Sequence, residues 1–274
     1  MRTRLIVALL VAALAAAGVA TAQRRRGFGG GGFGYRSVKM MTPDDYNGAF
    51  LFCRIIFRTT PDGDGGNWGV DYPRADINLT FRLSELTKTP VTRDEHDGYN
   101  HVVIQLTDPL LYKCPFIMMT EVGNTYLDER EAAALRDYAL KGGFLWADDF
   151  WGERAFGIWT REISKAFPPE QYPIIDVPLE HQLFHILYDV RHIPQIPSIN
   201  FWAATGSTSE RFDSAVPHVR AIVDETGRIM VLMTHNTDFG DAFEREGDDH
   251  EYFLKFAPDG YAFGVNAILY SMTH

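Results

Sequence analysis

The sequence predicts an α/β domain in which helices cover both faces of a mostly parallel sheet. Segments with strand-like and helix-like patterns alternate along most of the chain, as they do in βαβ units. The strand-like segments are near-continuous apolar runs, which is typical of strands buried on both faces. Of the 274 residues, 46% are hydrophobic and only 2 are cysteine, which excludes a disordered chain and a disulfide-rich scaffold.

The first residues have the order of a signal peptide. Arg2 and Arg4 precede the apolar run Leu5–Val19, and residues 20–22 (Ala-Thr-Ala) supply a cleavage pattern. An uncleaved anchor helix is the alternative, but the run is shorter than the ~20 residues that span a bilayer. We therefore expect a signal peptide over residues 1–22, a periplasmic or secreted protein, and no transmembrane anchor after cleavage.

An Arg- and Gly-rich stretch predicts a flexible linker over residues 23–45, followed by a single domain over residues 46–274. No strand precedes its glycines and no Lys-Ser/Thr pair follows them, so the stretch is not a phosphate-binding loop. No acidic residue occurs before Asp44, so the domain is more acidic than the chain's net charge of −10. Such a surface repels phosphate backbones and excludes nucleic acid as a partner.

In the first half of the domain, leucine spacing and apolar runs define the elements. Leu79, Leu83 and Leu86 repeat at helical spacing, with Asp76 as the candidate N-cap. Strands are predicted at Phe50–Phe57, Pro90–Arg93, His101–Leu106 and Phe116–Met119, with a Gly/Asp loop at Thr60–Asn67.

The second half begins with the clearest helix. Asp128 and Glu131 form a capping-box pattern, and Gly142-Gly143 ends the helix. The elements predicted after it are a strand at Phe144–Ala147, a helix at Arg154–Ala166, a strand at Tyr172–Val177, a hairpin of Val219–Asp224 and Ile229–Thr234, and a C-terminal helix at Gly260–Met272.

The two cysteines lie in or beside apolar strand-like runs. An exported protein permits a disulfide between Cys53 and Cys114, but buried free thiols are the more common arrangement and are expected here. Neither cysteine follows a strand on a sharp turn, and the chain has no G-x-S-x-G motif. Covalent catalysis by either residue type is therefore not expected.

Four motifs carry a resemblance to a known family. They are Asn67-Trp68-x-x-Asp71-Tyr72-Pro73-x-Ala75-Asp76-x-Asn78-Leu79, Gly142–Asp149, His181-x-x-Phe184-His185, and Gly264-Val265-Asn266 before Tyr270. In these motifs the chain resembles the DUF4159 family of bacterial domains, over roughly residues 46–274. The family name asserts no function.

A second pattern consists of Asp148-Asp149, His181-Gln182-Leu183, and Gly227-Arg228 leading to His235. In this pattern the chain more distantly resembles the ThuA-like branch of the class I glutamine amidotransferase-like fold. The similarity implies a flavodoxin-like sheet, here followed by the C-terminal hairpin and helix. It also implies an enzyme acting on a carbohydrate or related small polar molecule. Gln182 and Asp148 depart from the pattern, which weakens any transfer of activity.

Polar loops follow four predicted strands, at Asn67–Asn78, Asp148–Trp151, His181–His185 and His235–Asp241. In open α/β sheets, ligands bind beyond the carboxyl ends of strands. We therefore expect the loops to line one cleft, walled by aromatic residues unless those residues belong to the core. The candidate ligand-binding residues are Asn67, Trp68, Tyr72, Asn78, Trp151, Asn236 and Asp238.

The candidate catalytic residues are Asp148, Asp149, His181 and His235. Either aspartate is a general base or a metal ligand; the alternative is a cap for the helix that begins near Glu153. His235 is a candidate base, and the alternative is that it opens an Asx-rich turn.

His181 and His185 are four residues apart, so on a helix they share one face, which suits zinc. Gln182 occupies the place of the glutamate in H-E-x-x-H, and the alternative is a histidine pair that packs a turn. No cofactor is identified, and a divalent metal remains open.

The sequence favours a non-catalytic, amidotransferase-like module that binds a small polar ligand or an envelope protein. A carbohydrate-acting enzyme is the first alternative. A metal-dependent hydrolase using Asp148, His181 and His185 is the second.

Overall fold

The computed structural model describes residues 38–274 and arranges their nine strands in two sheets. The strands are β1 (Phe52–Ile55), β2 (Arg58–Thr59), β3 (His101–Ile104), β4 (Phe116–Thr120), β5 (Thr125–Tyr126), β6 (Phe144–Phe150), β7 (Ile175–Asp176), β8 (His218–Val223) and β9 (Ile229–His235). The α-helices are α1 (Arg74–Leu86), α2 (Glu129–Leu140), α3 (Gly152–Ile163), α4 (Ile199–Thr205), α5 (Phe239–Glu244) and α6 (His250–Thr273). The predicted signal peptide and residues 23–37 of the predicted linker lie outside the described residues, and a compact unit begins at Lys39.

The main sheet has seven strands in the order β3-β1-β4-β6-β9-β8-β7. The strands from β3 to β9 pair in parallel, whereas β8 pairs antiparallel with β9 and with β7. The predicted α/β class with a mostly parallel sheet is therefore confirmed. Along the chain β3 is added on one side of β1 and β4 on the other, so the strand order reverses between β1 and β4. Ligand sites of open α/β sheets lie outside the strand ends at such a point.

Two apolar cores lie on the two faces of this sheet. Leu135 of α2 and Trp159 of α3 belong to one core, and Leu79 of α1 and Phe263 of α6 belong to the other. Along β4 and the first four residues of β6, successive side chains alternate between the two cores, as period-two geometry requires. Among residues 38–274, no helix combines the length and the apolar character needed to cross a membrane.

Several predicted elements change their bounds. The capping box at Asp128 is confirmed, since its side chain accepts hydrogen bonds from the amides of Arg130 and Glu131. α1 begins at Arg74, so the predicted cap at Asp76 is wrong. α6 begins at His250, ten residues before the predicted start at Gly260, and Pro258 lies inside it. The strand predicted at residues 90–93 reduces to isolated bridges, and that at residues 172–177 to the two residues of β7.

The expectation of free thiols is wrong, because Cys53 and Cys114 form a disulfide with their Cα atoms 6.1 Å apart. Cys53 lies in β1, and Cys114 closes the turn that leads into β4. β1 and β4 are neighbours in the sheet although β3 lies between them in sequence. The bridge therefore links the two strands between which the strand order reverses.

A buried ion pair connects β1 to α1. The guanidinium of Arg54 and the carboxylate of Asp76 are both fully buried, and Arg54 Nε donates to both oxygens of Asp76 at 3.0 Å. Arg54 Nη1 also donates to the backbone carbonyls of Trp68 and Val70, at 3.4 and 3.2 Å. Arg54 thus holds the loop before α1 against β1.

We expect Arg54→Leu to lower the free energy of unfolding by about 3–5 kcal/mol, because Asp76 would keep a buried charge without its partner. The measurement is urea unfolding followed by circular dichroism. Arg58→Leu is the matched control, since Arg58 forms an exposed ion pair with Asp128 and such pairs contribute about 0–1 kcal/mol. Equal losses in the two variants would contradict this account of Arg54.

Candidate functional site

Loops from four adjacent strands meet at the carboxyl edge of the sheet and enclose a cavity of about 240 Å³. The seven carboxylates that line it are Asp64 and Asp71 after β1, Glu121 after β4, Asp149 in β6, Glu210 before β8, and Asp238 and Asp241 after β9. The basic side chains in the lining are Arg211 and Arg245. We call this space the acidic cavity; it lies where the strand order reverses.

Asp71 contributes a carboxylate oxygen that has no hydrogen-bond partner among the described residues. Its side chain is buried, and Oδ2 accepts no hydrogen bond from the described residues. The backbone of Asp71 has a positive φ of 62°, which places it on a tight turn directly before α1. Gly240 makes room for the carboxylate, because a Cβ there would lie 2.2 Å from Asp71 Oδ2.

Asp238 and Asp241 reach the same space from the start of α5. Asp238 is the N-cap of this helix, and its Oδ1 accepts a hydrogen bond from the amide of Asp241 at 2.8 Å. Asp241 accepts hydrogen bonds from the amide of Ile199 and from Arg245 Nε. One carboxylate oxygen from each of Asp71, Asp238 and Asp241 lies within 4.8 Å of the others. These three residues form the carboxylate triad.

The two adjacent aspartates of β6, Asp148 and Asp149, have different surroundings. The pairing of β6 with β9 shifts register between Ala147 and Phe150, and Asp149 has a φ of 56°. Asp149 lines the acidic cavity and accepts a hydrogen bond from Trp151 Nε1 at 3.0 Å. Asp148 is fully buried and accepts from the amide of Gly240 at 3.0 Å. Asp148 therefore anchors the start of α5, which carries part of the triad.

The alternative that Asp148 caps the helix near Glu153 is wrong. The first amides of α3 instead donate to Asn236 Oδ1, at 2.8 Å, and to Asp213 Oδ2, at 3.1 Å.

Glu121 enters the cavity from the other side. Its carboxylate lies against Gly65 and Gly66, where a Cβ would come within 2.2 and 3.1 Å of its oxygens. Arg211 donates to Asp64 Oδ1 at 3.0 Å and so compensates one charge of the lining.

Burial raises the pKa of most of these carboxyl groups. For Asp149, burial is the main cause and the charges of Glu121 and Asp71 add to it, so that its pKa lies well above the ordinary value. The pKa values of Asp71 and Asp238 are also raised well above it, first by burial and then by neighbouring carboxylates. Burial raises the pKa of Glu121 to about 7. The cavity therefore favours a bound proton or cation over open negative charge.

The two histidines proposed as zinc ligands lie elsewhere. They flank a single 3-10 turn, Gln182–Phe184, so the predicted shared helix face is wrong. His181 Nδ1 accepts from the amide of Leu183, and His185 contacts Asp189 Oδ1 at 2.9 Å and the carbonyl of Leu179 at 2.7 Å. Within residues 38–274, the only group of three or more neighbouring metal-ligating side chains is the carboxylate triad.

His235 is a structural residue of the sheet end. Its ring lies 5.0 Å from those of Phe150 and Phe156, and burial lowers its pKa to about 4. Because Arg220 can only donate, at 3.1 Å to Nδ1, the proton is on Nε2, which donates to the carbonyl of Gly152. Its neighbour Asn236 also holds this segment, by donating from Nδ2 to the carbonyl of Val216.

Of the predicted ligand-binding residues, only Trp151 and Asp238 are among the described residues that line the cavity. Asn67 Oδ1 accepts from the amide of Gly69, and Asn78 donates to the carbonyl of Phe243. The rings of Trp68 and Tyr72 pack together with centroids 5.8 Å apart. The sequence reasoning missed Asp64, Asp71, Glu121, Glu210 and Asp241. Asp71 and Asp241 nevertheless lie in loops that it had singled out.

A family model described as "Domain of unknown function (DUF4159)" matches residues 55–272, which include all seven carboxylates of the cavity. The resemblance noted from the motifs is therefore confirmed. No curated protein matches the chain.

In the presence of a chelator, we expect the melting temperature to fall as the pH rises from about 5 to 8. Burial raises the pKa of Glu121 and of Asp148 to about 7, above the ~4 of an unfolded chain. Below pH ~4, the protonated forms of Glu121 and Asp148 make their full contribution to the free energy of unfolding. That contribution is lost as the pH rises through about 7. We expect a loss of roughly 5 °C or more, measured by differential scanning calorimetry. A flat profile would contradict the raised pKa values.

Proposed function

This chain belongs to the DUF4159 family, and we propose that it binds a hard divalent cation, Ca²⁺ or Mg²⁺, in the acidic cavity. The ligands are the carboxylates of Asp71, Asp238 and Asp241. The loaded cavity then serves to bind a small polar ligand. In this proposal the domain is a binding module, which is the function that the sequence favoured. The new feature is the cation in the acidic cavity.

The unpartnered oxygen of Asp71 carries the proposal. Burying an ionised carboxylate costs several kcal/mol unless a cation or hydrogen-bond donors compensate it, and Oδ2 has no donor among the described residues. Two further carboxylate oxygens lie within 4.8 Å, close enough for one ion to contact all three. An oxygen-only ligand set suits Ca²⁺ and Mg²⁺ better than zinc, which prefers nitrogen and sulfur.

A metal-dependent hydrolase is the second candidate function, and Glu121 favours it. Glu121 lines the same cavity, and its pKa of about 7 suits a general base at neutral pH. Such a base could accept a proton from a water molecule that the cation polarises. This version differs from the one predicted with Asp148, His181 and His185.

We further propose that the protein is exported and has a flavodoxin-like fold without amidotransferase activity. The disulfide supports export to the periplasm or beyond, because disulfides persist in oxidising compartments. With both cysteines bridged, neither offers the thiol nucleophile of an amidotransferase. The five parallel strands lie in the order β3-β1-β4-β6-β9. Numbered by their sequence among themselves, this is 2-1-3-4-5, the strand order of flavodoxin-like sheets, which supports this assignment.

We expect Asp71→Asn to weaken Ca²⁺ binding about tenfold to a hundredfold, because the variant removes the charge of one ligand. Asn tolerates the positive φ at this position. The measurement is isothermal titration calorimetry on the chelator-treated protein, with circular dichroism to check that it remains folded. Asp62→Asn is the matched control, since Asp62 lies in the same loop but pairs with Arg161 at 2.7 Å.

Unchanged Ca²⁺ affinity in the folded Asp71→Asn protein would contradict the site. So would loss of affinity in a His181→Ala/His185→Ala variant, because that result would move the ion to the histidine pair.

A further inference from the structure

The bound cation does not neutralise the acidic cavity. The seven carboxyl groups exceed the four positive charges of two arginines and one divalent cation by three, so three of these groups hold protons or pair with a further cation. Both arginines already have carboxylate partners: Arg211 pairs with Asp64 at 3.0 Å, and Arg245 pairs with Asp241 at 3.1 Å. An anionic ligand would therefore meet no unpaired guanidinium in the described lining.

The cavity is also larger than an ion requires. Its volume of about 240 Å³ is somewhat below the roughly 300–1,000 Å³ of sites that bind drug-sized molecules. There is thus room beside the triad for a ligand of a few non-hydrogen atoms. Four lining carboxylates lie outside the triad: Asp64, which pairs with Arg211, and Asp149, Glu121 and Glu210.

Asp149 offers a buried hydrogen-bond acceptor in the part of the cavity beside the triad. Its side chain is only 5% exposed and lines the cavity, and of its two oxygens only Oδ1 accepts a hydrogen bond from a described residue. That bond comes from the indole of Trp151, which fixes the ring at the cavity wall. A carboxylate beside an aromatic ring is a favourable environment for an organic cation, which gains an ion pair and a cation–π contact.

We propose that the small ligand of the acidic cavity is an organic cation, a primary amine or guanidinium, bound between Asp149, Glu121 and Glu210 beside Trp151. This inference rests on the proposed function, because the charge is counted with the divalent cation in place. The net charge of −10 on the chain also attracts cationic ligands over longer distances. A free polyamine and a lysine or arginine side chain of a peptide share this chemistry.

The test is isothermal titration calorimetry of the Ca²⁺-loaded protein with 1,4-diaminobutane. The neutral 1,4-butanediol is the matched ligand, and inorganic phosphate is the anionic one. We expect saturable binding of the diamine alone. At pH 7 we also expect proton release, seen as different heats in Tris and in HEPES, because the pKa of Glu121 is about 7 and the bound amine displaces its proton. A tri-lysine peptide, run in parallel, distinguishes a peptide source from a free amine.

Two variants locate the ligand. We expect Asp149→Asn and Glu121→Gln to weaken diamine binding about tenfold or more, and to weaken Ca²⁺ binding less than Asp71→Asn does, since neither residue is a ligand of the triad. Asp137→Asn is the control, because Asp137 is exposed and pairs with Lys141. Unchanged diamine affinity in both cavity variants would overturn the proposal.

The outcomes for the two proposals are separable. Ca²⁺ binding without diamine binding, or with equal binding of the diol, overturns the organic-cation inference and leaves the cation site intact. Diamine binding without Ca²⁺ binding overturns the cation site and supports the inference. Binding of phosphate in place of the diamine overturns the inference, because the bound Ca²⁺, and not the carboxylates outside the triad, would then recognise the ligand.

Discussion

The site depends on the buried ion pair between the guanidinium of Arg54 and the carboxylate of Asp76. A fully buried charge requires fixed partners, and here the partners are Asp76 and the carbonyls of Trp68 and Val70. The same contacts therefore set the path of the loop that ends at Asp71. Since Arg54 lies in β1, which is paired on both sides, these contacts tie the position of the Asp71 carboxylate to the sheet.

A second anchor fixes the other two carboxylates of the triad. Asp148 is buried at the end of β6 and holds the amide of Gly240, at the start of the helix that carries Asp238 and Asp241. The triad is thus held from two sides before any ion binds. Carboxylates kept this close repel one another, so the arrangement costs stability that a bound cation returns. Burial first, and then this repulsion, raises the pKa values of Asp71 and Asp238.

Much of the fold could be predicted from the sequence, because apolar runs and helix signals are local. The site was only partly predictable. Asp149 was identified because it ends a strand, but which of two adjacent carboxylates enters the cavity depends on a register shift that no pattern reveals. Glu121 was missed because no polar motif marks the end of β4. His181 was wrongly grouped with the site because β7, which precedes it, lies at the far edge of the sheet. Strand order is a tertiary property, and local periodicity does not encode it.

The most direct test of the account is a crystal structure of the protein grown with saturating Ca²⁺, with anomalous scattering used to locate the ion. We predict one strong peak in the acidic cavity, at about 2.3–2.6 Å from oxygens of Asp71, Asp238 and Asp241. A peak at His181 and His185, or a cavity without any peak, would contradict the claim that the carboxylate triad binds a cation.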